Sequence, residues 1–248
     1  MELTSMRKSK SLGWVLIPAL IAAFAVTDNP VKAGTIVYTF TGSNLEHNAV
    51  DIEADLTFGS GTLTIMLKNL EKNLLADDQE INGLKFKVGG LTGNGALLTS
   101  NSGLITTINT GTGAYTAGVA DSLTRWDANH TGSAVTLSAL SGGKPNRLII
   151  GPDSLGNIDP TLGGLYSNAN SSVSTHNPNV LGSATFVLTI AGANTDSTLS
   201  NVNFLIGTST ESVVGQLKTV PEPSSLAMAS IAALAACGHM VYRRRRAV

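Results

Sequence analysis

Cysteine, aromatic residues and charged residues are all scarce in this sequence of 248 residues. The only cysteine is Cys237, so no disulfide can form within the chain. Charged residues make up 13% and aromatic residues 5% of the sequence. Residues 34–219 contain eight Lys and Arg against fourteen Asp and Glu, which gives a net charge of −6. An acidic domain without a basic patch excludes nucleic acid as an expected partner.

Motifs for zinc and for dinucleotides are missing too. His47, His130 and His176 lie far apart, and none has a second histidine two or four residues away, so no zinc site is predicted. Gly111–Thr116 is not a dinucleotide fingerprint, because Thr116 stands where the third glycine belongs. The sequence therefore predicts no bound cofactor.

An uncharged, apolar stretch lies near the C-terminus. Ser224–Tyr242 contains no Asp, Glu, Lys or Arg, and 19 residues span about 28 Å as a helix, close to the roughly 30 Å of a bilayer core. Clustered basic residues remain on the cytoplasmic side, and four follow this stretch: Arg243, Arg244, Arg245 and Arg246. The pattern predicts a transmembrane helix with the preceding domain outside the cytoplasm. An ordinary C-terminal anchor is one interpretation of it.

A proline-flanked glutamate precedes that stretch. Pro221 and Pro223 hold Glu222 in an extended, stiff segment. The order of Pro-Glu-Pro, short apolar helix and arginine cluster resembles the PEP-CTERM sorting signal. The resemblance implies that exosortase, a membrane-embedded cysteine transpeptidase, removes the tail near Pro-Glu-Pro. It also implies a bacterial protein that is passed to the cell surface or extracellular matrix, where exopolysaccharide is a potential partner.

The N-terminus has the features of a secretory signal peptide. A basic region with Arg7, Lys8 and Lys10 precedes the apolar run 12–26. Val31-Lys32-Ala33 then predicts cleavage by signal peptidase between Ala33 and Gly34, and either Met1 or Met6 is the start. The chain thus divides into a signal peptide at 1–33, an exported domain at 34–219 and a sorting and anchor segment at 220–248.

The exported domain has the pattern of an all-β protein. Apolar and polar residues alternate along short runs rich in Thr, Val and Ile, as in half-buried strands. The clearest run is 52–58, and Phe58-Gly59-Ser60-Gly61 predicts a hairpin after it. Residues 70–81 have room for one helical turn at most. The nine runs are 36–40, 52–58, 63–67, 84–88, 104–108, 134–140, 147–150, 184–190 and 202–206.

These runs predict an antiparallel β-sandwich of about nine short strands, flanked by an N-terminal signal helix and a C-terminal transmembrane helix. Residues 151–180, rich in Pro, Gly, Asn and Ser, predict an ordered loop across one end of the sandwich. Six apolar side chains are expected in the core: Ile52, Leu56, Phe58, Phe86, Phe186 and Phe204. The strand Leu63–Asn69 and the segments Ile81–Phe86, His176–Pro178 and Ala184–Phe186 resemble ectodomains that accompany the sorting signal, which implies a sandwich without a known activity.

One motif favours catalysis. Gly151-Pro152-Asp153-Ser154-Leu155 resembles the Asp-Ser-Leu block of the GDSL esterases, whose serine is the nucleophile, and Asp127-Ala128-Asn129-His130 matches their Asp-x-x-His. However, Pro152 is inserted, the Asp-x-x-His precedes the serine, and the helices of that family's α/β fold are missing. The alternative interpretation is that Asp153 and Ser154 open a turn, with their side-chain oxygens bonded to nearby backbone N–H groups.

Two acidic segments are candidates for calcium. Asp153, Asn157 and Asp159 provide oxygen atoms from one loop, and Asp77, Asp78 and Glu80 form a second, weaker set. Neither has EF-hand spacing. Solvated loop carboxylates are the alternative interpretation of both.

Three classes of function remain open. A structural or interaction protein without catalysis is the first prediction, and a module that binds exopolysaccharide is the alternative. Exposed aromatic side chains would favour the module, and Trp126 is either its sugar-stacking residue or part of the core. A concave surface shared by Trp126, Tyr166 and the loop 151–180 would also favour it. A GDSL-like esterase is the third.

Overall fold

The computed structural model describes residues 35–140, 145–209 and 211–218. Within these residues the chain is nearly all β, with fourteen strands, two short 3-10 turns and one five-residue helix, α1 (Ser171–Thr175). The strands are β1 (Ile36–Ser43), β2 (Ala49–Gly59), β3 (Thr62–Asn69), β4 (Ile81–Val88), β5 (Asn94–Ala96), β6 (Leu98–Thr106), β7 (Val119–Asp121), β8 (Asp127–Thr131), β9 (Ala134–Ser138), β10 (Ile149–Ile150), β11 (Asn179–Thr189), β12 (Leu199–Ile206), β13 (Ser212–Val214) and β14 (Gln216–Leu217).

The strands form two halves joined through one short strand. The first half has the order β14-β1-β2-β3-β11-β6-β7. The second has the order β13-β12-β4-β9-β8-β5. Strand β10 pairs with both β11 and β4 and connects the halves.

The all-β prediction is confirmed, but two of its details need correction. The described residues contain fourteen strands rather than about nine, because the shortest ones carry no apolar alternation. Strand β8 contains Asp127 and Asn129, residue types that are depleted in strands, yet it is paired on both sides, with β9 and with β5. The pairing of β10 with β11 is parallel, whereas every other pairing among the described strands is antiparallel.

The central hairpin follows the sequence pattern closely. Strands β2 and β3 alternate between buried and more exposed residues along their length. Gly59 pairs with Thr62, so Ser60 and Gly61 form a two-residue connection. Gly61 has a φ of 70°, which favours glycine in such turns. The 3-10 turn at Asp77–Gln79 agrees with the limit of one helical turn between residues 70 and 81.

A main core contains side chains from both halves of the sheet. The six side chains predicted for it are all buried. Trp126 precedes β8 in one half, and its ring lies 4.6 Å from the ring of Phe186 in the other. The main core also includes Ile65, Leu67, Leu84, Val135, Leu137, Ile149, Val180 and Leu188.

A smaller core lies under the loop between β10 and β11. We call it the satellite core, and it consists of Leu74, Ile108, Tyr115, Ile150, Tyr166, Ala169, Val173 and Leu181. The loop contains a 3-10 turn at Pro160–Leu162 and helix α1, whose first turn is capped by the Asn170 side chain. The prediction of an ordered loop is therefore confirmed.

Both predicted terminal helices lie outside the described residues. In the part of the chain that the structure describes, no helix is long and apolar enough to cross a membrane.

Candidate functional site

The last described segment is a strap that touches both halves of the sheet. We call residues 212–218 the C-terminal strap. Its β13 pairs with β12 in the second half, and its β14 pairs with β1 in the first. Between them Gly215 donates its N–H to Val202 O at 2.9 Å. A Cβ at Gly215 would lie 3.1 Å from the Phe204 ring and 3.3 Å from Val202 O, so this close approach favours glycine.

The strap ends at a small charge cluster. Lys218 donates its backbone N–H to Val37 O and its ammonium group to Glu53 Oε2, both at 2.9 Å. Lys68 donates to Glu53 Oε1 at 2.8 Å and forms a 2.6 Å ion pair with Asp55. The hydrogen bonds from Lys68 and then Lys218 lower the pKa of the Glu53 carboxyl. The end of the strap is thus fixed by both a backbone bond and charge.

The two ends of the described domain lie on neighbouring strands. Strand β1 starts at Ile36, shortly after the predicted cleavage point between Ala33 and Gly34. The strap ends three residues before Pro221. These predicted processing residues, with Glu222, Pro223 and the arginines at 243–246, lie outside the described residues. The predicted signal cleavage point and the Pro-Glu-Pro segment are nevertheless each only a few residues along the chain from the same end of the β1–β14 pair.

The esterase candidates have separate local partners. Ser154 Oγ accepts from the Leu165 N–H at 3.3 Å. The Nδ1 atom of His130 lies 3.1 Å from Gly132 O, and Asp127 bonds Ala128 N and the Asn129 amide. The structure records no hydrogen bond among Ser154, His130 and Asp127, although it describes all three.

Asp153 is a buried structural carboxylate. Its Oδ1 accepts from the N–H groups of Leu155 and Asn157 at 2.8 and 2.9 Å, and its Oδ2 accepts from the Tyr115 hydroxyl at 2.9 Å. The turn interpretation is confirmed for Asp153, while the solvated interpretation is wrong, because the residue is fully buried. A Cβ on Gly164 would lie only 1.8 Å from Oδ2, so a glycine is required there.

The other calcium candidates do not converge either. Asp159 is exposed and caps the 3-10 turn by accepting from Thr161 N and Oγ1. Asp77 Oδ2 lies 3.6 Å from His176 Nε2, and Asp78 Oδ2 accepts from the Asn48 amide at 2.8 Å. Among the residues that the structure describes, no three His, Cys, Asp or Glu side chains are grouped so as to hold a metal ion.

Unlike the other acidic candidates, Glu80 is a fully buried carboxyl group, and neither of its oxygens has a hydrogen-bond partner. Burial, followed by the charges of Asp77 and Asp78, raises the pKa of Glu80 well above its ordinary value. Asp77 and Asp78 line a neighbouring cleft of about 440 Å³ together with Glu46 and Glu211. The cleft is acidic, and sequence reasoning grouped only part of it, because Glu211 lies far along the chain.

The aromatic candidates for sugar binding are inside the protein. Trp126 is 4% exposed and donates its Nε1–H to Arg147 O at 2.8 Å. Tyr166 is fully buried and donates its hydroxyl to Gly151 O at 2.6 Å. Trp126 belongs to the main core and Tyr166 to the satellite core. The core interpretation of Trp126 is confirmed. Trp126 and Tyr166 are buried in different cores, so they do not share the concave surface that would have favoured a sugar-binding module.

The whole arrangement is that of a β-rich domain followed directly by a C-terminal sorting segment. Residues 219–246 match the family model described as the PEP-CTERM protein-sorting motif, so the chain carries that motif. The motif implies export, processing by exosortase and transient membrane anchoring before display at the cell surface. No curated protein and no solved structure matches the chain.

Proposed function

We propose that the described domain is the cargo of an exosortase system and has a structural or interaction role, without catalysis, at the cell surface or in the extracellular matrix. Signal peptidase removes residues 1–33, the apolar helix at 224–242 anchors the precursor, and exosortase removes the tail near Pro221–Pro223. The observation that carries the proposal is the sorting motif at 219–246, which begins directly after the strap.

The finer architecture is part of this proposal. The two halves of the sheet form a β-sandwich around the main core, with the loop 151–180 across one end. The contact of Trp126 with Phe186 supports face-to-face packing of the halves.

The surface favours the structural role over the polysaccharide-binding alternative. Sugar-binding sites commonly present exposed aromatic side chains, whereas Tyr38 and Phe40 are half-buried and every other aromatic side chain of the described residues is buried. The local hydrogen bonds of Ser154 and His130 support the absence of esterase chemistry. Hydrolysis of short-chain esters that disappears in Ser154→Ala and in His130→Ala would contradict that part of the proposal.

Intact-mass measurement of the native surface protein tests the sorting proposal. We expect a mature species that lacks residues 1–33 and most of the chain after residue 223. A mature species that retains Arg243–Arg246 would refute it.

The arginine cluster gives a second test. Replacement of Arg243–Arg246 with serine removes the charges that hold the C-terminus inside. We expect weaker membrane retention or failed processing of the precursor, measured by fractionation and immunoblotting. A matched variant with four lysines retains the charge and should behave as the unchanged chain does.

A further inference from the structure

The C-terminal strap is attached mainly through its backbone. Val214 and Leu217 are 59% and 56% exposed, and only Val213 packs partly against the main core. Strand β14 is two residues long, and the Lys218 side chain that follows it is 55% exposed. Segments with few buried apolar contacts open locally at low free-energy cost. The pairing of β14 with β1 is therefore one of the easiest to undo in the domain.

The pairing also limits the reach of the sorting motif. Pro221 follows Lys218 by three residues, which span about 10 Å at most when extended. The folded domain consequently lies within that distance of the Pro-Glu-Pro segment while β14 is paired. If the chain is released back to Gly215, six residues separate the domain from Pro221, and the reach doubles to about 20 Å.

We propose that the strap is a latch on processing: β14 must detach from β1 before the sorting enzyme can take up the Pro-Glu-Pro segment. The inference rests on the proposed sorting function. A membrane-embedded enzyme has to bind the segment next to a folded domain, and the longer tether removes that steric conflict. Lys218 holds the latch closed, because its backbone N–H bonds Val37 O and its ammonium group bonds Glu53.

A disulfide across the latch tests the proposal. The Lys218 N–H bonds to Val37 O directly opposite it, so the adjoining Tyr38–Leu217 pair is a non-hydrogen-bonded pair, in which the side chains are closest. The test chain carries Tyr38→Cys and Leu217→Cys with Cys237→Ser to prevent mispairing. Its processing is followed by pulse-chase in a bacterium that carries the sorting system.

We expect the oxidised precursor to be processed at least about tenfold more slowly than the same chain kept reduced with dithiothreitol. The reduced form is the matched control, because it contains the same substitutions. Equal rates for the oxidised and reduced forms would overturn the latch. If the unchanged chain is not processed at all, the sorting function itself fails, and the two failures are therefore distinguishable.

A pair of proline variants tests the latch without a disulfide. Gln216 lies opposite Thr39 at the next hydrogen-bonded position, so Gln216→Pro removes a bond to β1. The N–H of Leu217 points away from β1, so Leu217→Pro is the matched control. We expect Gln216→Pro to be processed severalfold faster than the control. Equal rates for the two variants would count against the latch even if the disulfide failed to form.

Discussion

The main core and the satellite core are held together by different means. The main core consists chiefly of aliphatic and phenylalanine side chains from alternating positions of paired strands. The satellite core lies under a loop, and its two tyrosines donate their hydroxyls to Asp153 and to Gly151 O. The main core should be destabilised chiefly by substitutions that remove buried apolar area. The satellite core should be destabilised equally by substitutions that remove a hydrogen-bond partner of its tyrosines.

The two cores meet along β10 and the start of β11. Ile149 and Val180 pair with each other and belong to the main core, while the next pair, Ile150 and Leu181, belongs to the satellite core. Successive residues of a strand point to opposite faces. A two-residue strand is therefore enough to separate the two packing environments.

The largest effect is expected from a cavity in the main core. Phe186 is fully buried against Trp126, and Phe186→Ala should lower the free energy of unfolding by about 3–5 kcal/mol. Urea denaturation measures the loss, and Leu155→Ala, at a side chain that is 64% exposed, is the control. Equal losses for the two variants would show that the main core does not dominate stability.

A smaller effect, confined to the satellite core, is expected from Asp153→Ala. The change leaves the buried Tyr115 hydroxyl without its acceptor, at a cost of roughly 1–3 kcal/mol. The N–H groups of Leu155 and Asn157 lose the same carboxylate, but they lie at less buried positions where water can replace it. Limited proteolysis should show earlier cleavage within 151–178 while the strands stay protected. Asp159→Ala, at an exposed turn cap, is the control. Cleavage of the strands at the same rate as cleavage within 151–178 would contradict the separation of the two cores.

The smallest effect is expected from Glu80→Gln, and it depends on pH. Because burial raises the pKa of folded Glu80 above its ordinary value of 4.5, its contribution to stability is fully present below pH 4.5. It is lost as the pH rises towards the folded pKa. Glu80→Gln should match the parent chain in acid and exceed it at higher pH in thermal unfolding. Glu46→Gln, at an exposed position, is the control. A constant difference between Glu80→Gln and the parent at every pH would rule out titration of Glu80.

The sequence predicts features that lie within one continuous segment, but it predicts few of the contacts between residues that are far apart along the chain. Strands β2 and β3 were predictable because alternation continues along each of them, and the sorting motif because it is one uninterrupted segment. The burial of Asp153 was not predictable from the sequence, because it depends on a hydrogen bond from Tyr115, which is 38 residues away. Strand β14 was not predictable because its two exposed residues carry no pattern and are defined only by β1.

The placement of β1 beside β14 also has a mechanical consequence. The two strands run antiparallel, and the chain enters and leaves their pairing at the same end, where Val37 faces Lys218. Tension between the N-terminal segment and the tail would therefore load the hydrogen bonds one after another, as in unzipping, instead of all together, as in shear. A domain tethered to a surface through its tail would yield first at this seam, and the main core would be spared.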